Sequence, residues 1–162
     1  MEIFVYADWL DTESPRCVGT LRSSVIRGKE HFSFSYDQNW INSTFALQID
    51  PSLQLYSGEQ HSADDRNFKV FLDSCPDRWG RLLMQRREAV IARTEGRRAN
   101  ALYETNYLLG VHDSFRMGAL RFCTAHDGNF LDDNDNLAAP AITSLPELEQ
   151  AANGIEGKPE LT

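Results

Sequence analysis

Seven arginines fall within one short stretch, and they are the residues whose type and spacing most clearly favour binding chemistry. They are Arg78, Arg81, Arg86, Arg87, Arg93, Arg97 and Arg98. Because an arginine keeps its charge and presents a planar fork of donors, such a stripe can meet phosphate groups or an acidic protein surface. The same pattern is also typical of a solvated helix face, or of a face that neutralises an acidic tail of the same chain. The stripe therefore predicts a contact surface and leaves its partner open.

The charge around this stripe is unevenly distributed. The whole chain has 16 Lys and Arg residues against 24 Asp and Glu residues, a formal charge of −8, which disfavours a protein that coats nucleic acid or anionic lipid with its entire surface. Residues 66–98 nevertheless carry nine basic and four acidic residues, whereas residues 124–162 carry one basic and eight acidic residues. The sequence thus predicts a basic helical region followed by an acidic segment.

The acidic and histidine residues do not follow the spacing of a metal site. In a calcium loop starting at Asp132, the sixth position would be Leu137 instead of glycine and the twelfth would be Thr143 instead of glutamate. The four histidines are also isolated from one another and from the cysteines, so no zinc signature is present. They are His31, His61, His112 and His126. We therefore predict no metal site.

Motifs for nucleophilic or phosphoryl-transfer chemistry are absent from the sequence. It contains no nucleophile elbow, no phosphate-binding P-loop, no dinucleotide glycine motif and no kinase catalytic loop. His112 and Asp113 are adjacent, but an acid–base pair also needs an orienting partner and a dry pocket. Three separated cysteines, Cys17, Cys75 and Cys123, are typical of reduced, half-buried residues. Residue chemistry favours a binding or scaffolding domain, with a small enzyme using His112 and Asp113 as the alternative.

The elements that must position these residues form one α+β domain. A length of 162 residues with 41% hydrophobic residues is sufficient for a single core. Strands are predicted at residues 3–6, 17–21 and 31–36, and because the turns between them are too short for helical crossovers, they form an antiparallel meander. In the third strand, aromatic residues alternate with serines, which predicts one buried and one wet face. Residues 40–62 are predicted to be mostly extended and to lead back across the sheet.

Helical periodicity replaces this pattern after residue 64. The spacing predicts two helices, or one helix broken at Pro76, with Pro76 in the first turn of the second and Asp77 adding negative charge there. A third helix is expected from about residue 99 to 109, ended by Gly110 in the left-handed conformation, and a last strand at 117–123. The fold class is therefore an antiparallel sheet, or a partly open barrel, covered by two or three helices.

The composition divides the chain into two parts. Residues 1–125 form the predicted domain, and residues 126–162 an acidic linker with a short helix at Ser144 to Glu147, which have capping-box spacing. No stretch approaches the ~18 consecutive apolar residues of a membrane span, and the N-terminus has no secretory pattern. We therefore expect a cytoplasmic protein without a membrane partner.

Two sequence blocks carry a family resemblance. Residues 68–81 read FKVFLDSCPDRWGR and residues 107–122 read YLLGVHDSFRMGALRF. Together with the strands at 17–21 and 32–36, their order and separation resemble the N-terminal part of HipA-family serine/threonine kinase toxins over roughly residues 3–123. The chain departs from the family pattern at Ser74 and Cys75, where members usually have two leucines, and at His112, where they have a more basic or polar residue.

The resemblance implies a role in a toxin–antitoxin system. Full-length family members are two-lobed kinases that use ATP and magnesium to phosphorylate a protein substrate, which arrests growth or gives persistence, and they pair with a helix-turn-helix antitoxin. The catalytic and cofactor-binding residues of the family lie beyond the region matched here, so none is assigned to this chain. ATP and magnesium would belong to the absent kinase core.

The function expected from this resemblance is therefore not catalytic. It is a regulatory domain that contacts the antitoxin, the kinase core or both, and reaches DNA only indirectly through the antitoxin. Two alternatives are a free-standing regulatory subunit acting on a separate kinase in trans, and a nucleic-acid contact module using the arginines from Arg78 to Arg98.

Overall fold

Five strands and four helices make up the described part of the chain. The computed structural model describes residues 1–9, 13–63, 65–111, 113, 116, 118–126, 128 and 130. In chain order the elements are β1 (Glu2–Ala7), β2 (Arg16–Ile26), β3 (Lys29–Tyr36), α1 (Gln38–Ile41), β4 (Gln60–His61), α2 (Lys69–Asp73), α3 (Arg78–Thr94), α4 (Glu104–Leu109) and β5 (Leu120–Cys123).

The strands form one antiparallel sheet in the order β4-β3-β2-β1-β5. The first three strands are consecutive neighbours, which confirms the predicted meander, and β5 pairs with β1 so that Val5 lies opposite Phe122. The two-residue β4 and the four-residue β5 lie at the two ends of this order. The described strands therefore form an open sheet and do not close into a barrel, which confirms the predicted α+β class in its open form.

One face of the sheet carries the hydrophobic core. Directly paired residues share a face, so Ile3, Leu21 and Phe34 form a row across three strands, and each is fully buried. The ring of Phe71 from α2 lies against this face, with its centroid 5.5 Å from that of Phe34 and 6.1 Å from that of Phe122. Residues of α1 and α4 also belong to this cluster, whereas Ala92, the buried apolar residue of α3, lies outside it.

The alternation predicted for β3 is confirmed on its aromatic side and wrong on part of its polar side. Phe32, Phe34 and Tyr36 are all buried. Ser33, predicted to face water, is also buried, because the loop before β4 lies over it and the Ser33 hydroxyl donates to the Glu59 carboxylate at 2.6 Å. A distant loop therefore covers part of the face that the local pattern assigns to solvent.

The segment predicted to be extended begins with a helical turn. The Asp37 carboxylate accepts a hydrogen bond from the backbone N–H of Asn39 at 2.8 Å, which starts α1 and buries the Trp40 side chain. The extended prediction for residues 40 and 41 is therefore wrong, because the capping aspartate outweighs the aromatic and β-branched residues that follow. The later part of the segment does return to the sheet, as β4.

A loop aspartate, Asp50, supplies the N-terminal cap that α2 lacks. The residue at the cap position is Phe68, whose side chain has no acceptor, and Asp50 accepts instead from the Val70 backbone N–H at 2.9 Å. Its other oxygen accepts from the backbone N–H and the hydroxyl of Ser52, at 2.9 and 2.6 Å. Burial raises the pKa of Asp50, but the hydrogen bonds from Ser52, Val70 and Lys69 outweigh burial and hold its pKa below the usual value.

The Asp50→Asn substitution is expected to destabilise the domain by about 1–3 kcal/mol near neutral pH, because one of the two acceptor oxygens is lost. A pKa lowered by folding means that the stabilisation from Asp50 is present above about pH 4 and is lost as pH falls through the folded-state pKa. Urea midpoints measured between pH 7 and pH 3 should therefore fall less steeply for the variant. Asp73→Asn, at an exposed carboxylate, is the matched control, and equal pH slopes for all three proteins would contradict this role.

The elements after residue 64 follow the prediction with four differences. The chain does break at Pro76, but Pro76 precedes the N-cap residue Asp77, which accepts from the Gly80 N–H at 2.8 Å, so the proline lies outside the first turn. The predicted third helix begins at Glu104 instead of near residue 99, and β5 begins at residue 120 instead of 117. Gly110 has φ −83°, so the predicted left-handed conformation is wrong.

The chain that follows β5 lies partly on the sheet. The His126 ring packs edge-on against Phe4, with centroids 5.2 Å apart, and the Phe130 ring packs edge-on against Tyr6 at 5.3 Å, both on the face opposite the core. The short helix predicted at residues 144–147 and most of the predicted linker lie outside the described residues, so the division at residue 125 stays a prediction. No helix in the described part of the chain is long and apolar enough to cross a membrane.

Candidate partner interface

Helix α3, which carries most of the arginine stripe, is the longest helix described and the least buried. Of its 17 residues, Gly80 and Ala92 are buried. Its apolar residues Trp79 and Val90 are 40% and 63% exposed. Since α3 contributes no residue to the cluster on the sheet, its side-chain contacts with α4 help to hold it in position.

The N-terminal end of α4 is fixed to the sheet by a buried carboxylate. Glu30, at the start of β3, is 8% exposed and accepts hydrogen bonds from the Thr105 backbone N–H and from the Thr105 hydroxyl. The Ser23 hydroxyl donates to the same carboxylate at 2.6 Å. A negative charge at this position satisfies a free N–H group of the first helical turn and interacts favourably with the helix dipole. Glu30 thereby joins the β2–β3 hairpin to α4.

The C-terminal end of α4 is fixed by a cation. The guanidinium of Arg116 donates to the carbonyl oxygens of Leu108 and Val111 at 3.0 Å and of Ser74 at 3.2 Å. It lies 4.6 Å from the centre of the Phe122 ring, and burial lowers the pKa of Arg116 to about 10. Arg116 is therefore still charged at neutral pH, and it joins α2, α4 and β5 at one point.

Side chains of α4 in turn hold α3 in place through hydrogen bonds. The Arg81 guanidinium makes two hydrogen bonds to the Glu104 carboxylate, at 2.6 and 2.8 Å, and lies 4.6 Å from the centre of the Tyr107 ring. These hydrogen bonds raise the pKa of Arg81. One turn further on, the Gln85 amide donates to the Tyr107 hydroxyl at 2.8 Å. The two helices are thus joined by a charged and an uncharged polar contact.

The Met84 side chain of α3 lies against Gly110, the C-cap residue of α4. A Cβ atom added to Gly110 would collide with the methyl group of the Met84 side chain from α3. Because the end of this flexible side chain can move aside, the contact favours a small residue at position 110 without requiring glycine.

The first two turns of α3 border a cavity of about 720 Å³, which we call the α3 groove. The described residues that line it are Asp77, Arg78, Trp79, Arg81, Leu82 and Gln85. Two of them, Arg81 and Gln85, are held by α4, so one wall of the groove is fixed in place. A concave site with an aromatic and an aliphatic side chain and a few polar groups is typical of a binding site.

The structure divides the predicted arginine stripe into paired and unpaired members. Arg81 is paired with Glu104, and Arg97 is paired with Glu88 and Glu95 at 2.5 and 2.6 Å, which raises the pKa of Arg97 and lowers that of Glu88. Four other arginines of the stripe are exposed and form no ion pair with a described residue. They are Arg78, Arg86, Arg93 and Arg98. The stripe is therefore partly structural, and its free charge lies mainly on α3.

The structure offers little support for chemistry elsewhere in the described residues. Asp113 lies beside a cavity of about 350 Å³, but its carboxylate accepts hydrogen bonds from Arg121, and its predicted partner His112 lies outside the described residues. Burial raises the pKa of Cys75 to about 12, so its thiol stays protonated at neutral pH and is a poor nucleophile. No group of three or more His, Cys, Asp or Glu side chains in the described ranges is placed to hold a metal ion.

A comparison with known families gives a match over residues 12–122 to the family described as the HipA N-terminal domain. The chain belongs to the HipA N-terminal domain family. The matched region runs from before β2 into β5, so this HipA-like, toxin-associated domain includes both α3 and the contacts that hold it. The comparison finds the N-terminal domain and no kinase core in the sequence. A search of curated proteins gave no match.

Proposed function

We propose that this HipA N-terminal domain is a noncatalytic regulatory module that binds a protein partner through the α3 groove. The partner is the helix-turn-helix antitoxin of the same system, its kinase core, or both. Membership of the HipA N-terminal domain family supports a role in a toxin–antitoxin system. The exposed Trp79 at the edge of the groove is the observation that supports the groove as the binding surface. DNA is reached only through the antitoxin, and ATP and magnesium belong to the kinase core.

The groove has properties expected of a protein-binding surface. Tryptophan and arginine are the side chains that most often dominate the free energy of protein association, and both border this groove as Trp79 and Arg78. Helix α3 is already held in place through Arg81 and Gln85, so little conformational entropy is lost when a partner binds to it. The same surface serves whether the kinase core is on the same polypeptide or acts as a separate chain.

The Trp79→Ala substitution is expected to weaken binding of the cognate antitoxin or kinase core by about 30-fold or more, because a tryptophan that anchors an interface contributes about 2 kcal/mol or more. Isothermal titration calorimetry with the purified partners measures this. Trp9→Ala is the matched control, since Trp9 is 39% exposed and lies outside the groove. Equal affinities for the two variants would exclude the groove as the binding surface, and no binding of either partner to the unmodified chain would exclude the proposed function.

The noncatalytic assignment has its own test. Incubation of the chain with labelled ATP and magnesium, and with an ATP-depleted cytosolic extract as the source of protein substrates, should give no transfer of phosphate that depends on the chain. Transfer that persists in the purified chain and saturates with ATP would contradict the assignment.

A further inference from the structure

Apolar and cationic side chains continue along the outer face of α3 beyond the groove. Starting at Trp79, steps of three and four residues lead along one side of the helix, the spacing by which one helix packs against another. This outer face consists of Trp79, Leu82, Arg86, Ala89 and Arg93, with Arg78 and Val90 beside them. All of these residues are exposed except Leu82, which is half-buried. The outer face spans about 22 Å along the helix axis from Arg78 to Arg93, at ~1.5 Å per residue.

The positive charge on this face is not balanced by acids of the described chain. Among the carboxylates on or next to α3, Asp77 caps the helix through the Gly80 N–H, and Glu88 is occupied by Arg97 on another side of the helix. No described carboxylate pairs with Arg86 or Arg93. The outer face therefore presents unpaired cations together with uncovered apolar surface along four helical turns.

We infer that the outer face of α3 binds an acidic amphipathic helix of a protein partner. Apolar residues of that helix cover Trp79, Leu82 and Val90, and its flanking carboxylates pair with Arg86 and Arg93. The inference rests on the proposed function, because it specifies the chemistry of the partner segment that reaches the same helix. Complementary charge of this kind selects the partner and its orientation more than it raises the affinity.

The composition of the face favours a protein over a nucleic acid. A phosphate backbone needs cations and gains little from Trp79 and Val90, which are among the most exposed apolar side chains of the domain. The formal charge of −8 on the chain opposes the approach of both DNA and an acidic helix, and it opposes DNA more strongly because a duplex carries one negative charge per ~1.7 Å.

Designed peptides test the inference with the full chain. The first probe is a helical peptide of about 18 residues, with leucines at steps of three and four and glutamates on both flanks. The second peptide has lysine in place of every glutamate. The third peptide has the composition of the first, but its leucines are spaced so that they do not share one face of the helix. The fourth probe is a duplex DNA of about 20 base pairs. Fluorescence anisotropy at about 0.15 M salt should give an affinity for the acidic peptide at least about tenfold higher than for the other three probes.

Charge reversal tests the residues. The double variant Arg86→Glu with Arg93→Glu should bind the acidic peptide at least about tenfold more weakly and should gain affinity for the lysine peptide. Arg66→Glu and Arg98→Glu change exposed arginines that are not part of the outer face of α3 and should leave both affinities unchanged. Circular dichroism on each variant distinguishes loss of binding from loss of the helix.

The outcomes separate this inference from the proposed function. Equal binding of the acidic and lysine peptides, no binding of any peptide, or tighter binding of the DNA would overturn the inference. If the antitoxin or kinase core still binds in a manner that depends on Trp79, the proposed function stands without it. If the acidic peptide binds as expected but neither partner does, the chemistry of the face is supported and the proposed function fails.

Discussion

Replacing Glu30 with alanine is expected to destabilise the domain by about 3 kcal/mol, one of the two largest effects of any single substitution we predict. The carboxylate receives the backbone N–H and the hydroxyl of Thr105 and the hydroxyl of Ser23, all in a buried environment. Its removal leaves these donors without an acceptor and frees the N-terminal end of α4. Glu30→Gln, which keeps the shape and one acceptor oxygen, should cost about half as much.

Urea unfolding followed by circular dichroism measures this effect. The control is Glu13→Ala at an exposed glutamate, which should shift the free energy of unfolding by no more than about 0.5 kcal/mol. A double-mutant cycle with Thr105→Val should show coupling of about 1 kcal/mol or more, because the two side chains share a hydrogen bond. Equal unfolding midpoints for the variants at positions 30 and 13 would refute the anchoring role of Glu30.

Replacing Arg116 with methionine is the second large effect and should also cost about 3 kcal/mol. Methionine fills a similar volume, but it leaves the carbonyl oxygens of Ser74, Leu108 and Val111 without the donors that Arg116 supplies. Arg116→Lys should recover only part of the loss, since a single ammonium group cannot reproduce the planar fork that reaches three carbonyls.

Thermal and urea unfolding of the Arg116 variants test this prediction against Arg66→Met, which changes an exposed arginine. The Arg66 variant should unfold within about 0.5 kcal/mol of the unmodified chain. If Arg116→Met were as stable as Arg66→Met, the three carbonyl contacts would contribute nothing, and α4 would have to be held at this end by packing alone.

Both substitutions bear on function because α4 carries α3. The link runs from the Glu104 carboxylate to Arg81 and from the Tyr107 hydroxyl to Gln85. Loss of either anchor of α4 should therefore lower the affinity for the partner even where the domain remains folded. Trp79→Ala, in contrast, should lower the affinity with little change in the free energy of unfolding.

Local patterns were sufficient to predict most of the elements. The alternation of Phe32, Phe34 and Tyr36 identified a strand with a buried face, and the change to helical spacing around Pro76 identified the break between α2 and α3. Both signals depend on residues a few positions apart, where the periodicity of the backbone determines which side chains share a face.

The anchors could not be predicted because their partners are distant in sequence. Glu30 and Thr105 are 75 residues apart, Arg116 and Ser74 are 42 apart, and Asp50 caps a helix 20 residues away. None of these contacts produces a periodic pattern in the sequence. The same limit applies to Gly110, which ends α4 as the sequence indicates, but whose contact with the Met84 side chain of α3 could not be predicted from local spacing.

For the arginine stripe, the number of arginines in the sequence differs from the number that are unpaired at the surface. The sequence contains seven arginines from Arg78 to Arg98, but it does not indicate that Arg81 and Arg97 are engaged by Glu104 and Glu88. What could be predicted was a basic region with an undefined partner. What required the structure was the sharing of one helix face by unpaired arginines and exposed apolar side chains.

If α3 forms the partner surface, the three tryptophans can report partner binding directly. In a ¹H–¹⁵N spectrum each indole N–H gives one signal, and Trp79→Phe, Trp9→Phe and Trp40→Phe assign them. On titration with the antitoxin or kinase core, the Trp79 signal should shift or broaden, while the signals of Trp9 and of Trp40, which donates to the Leu47 carbonyl, should stay in place. A shift of the Trp9 or Trp40 signal with Trp79 unchanged would contradict the account and place the partner on another face.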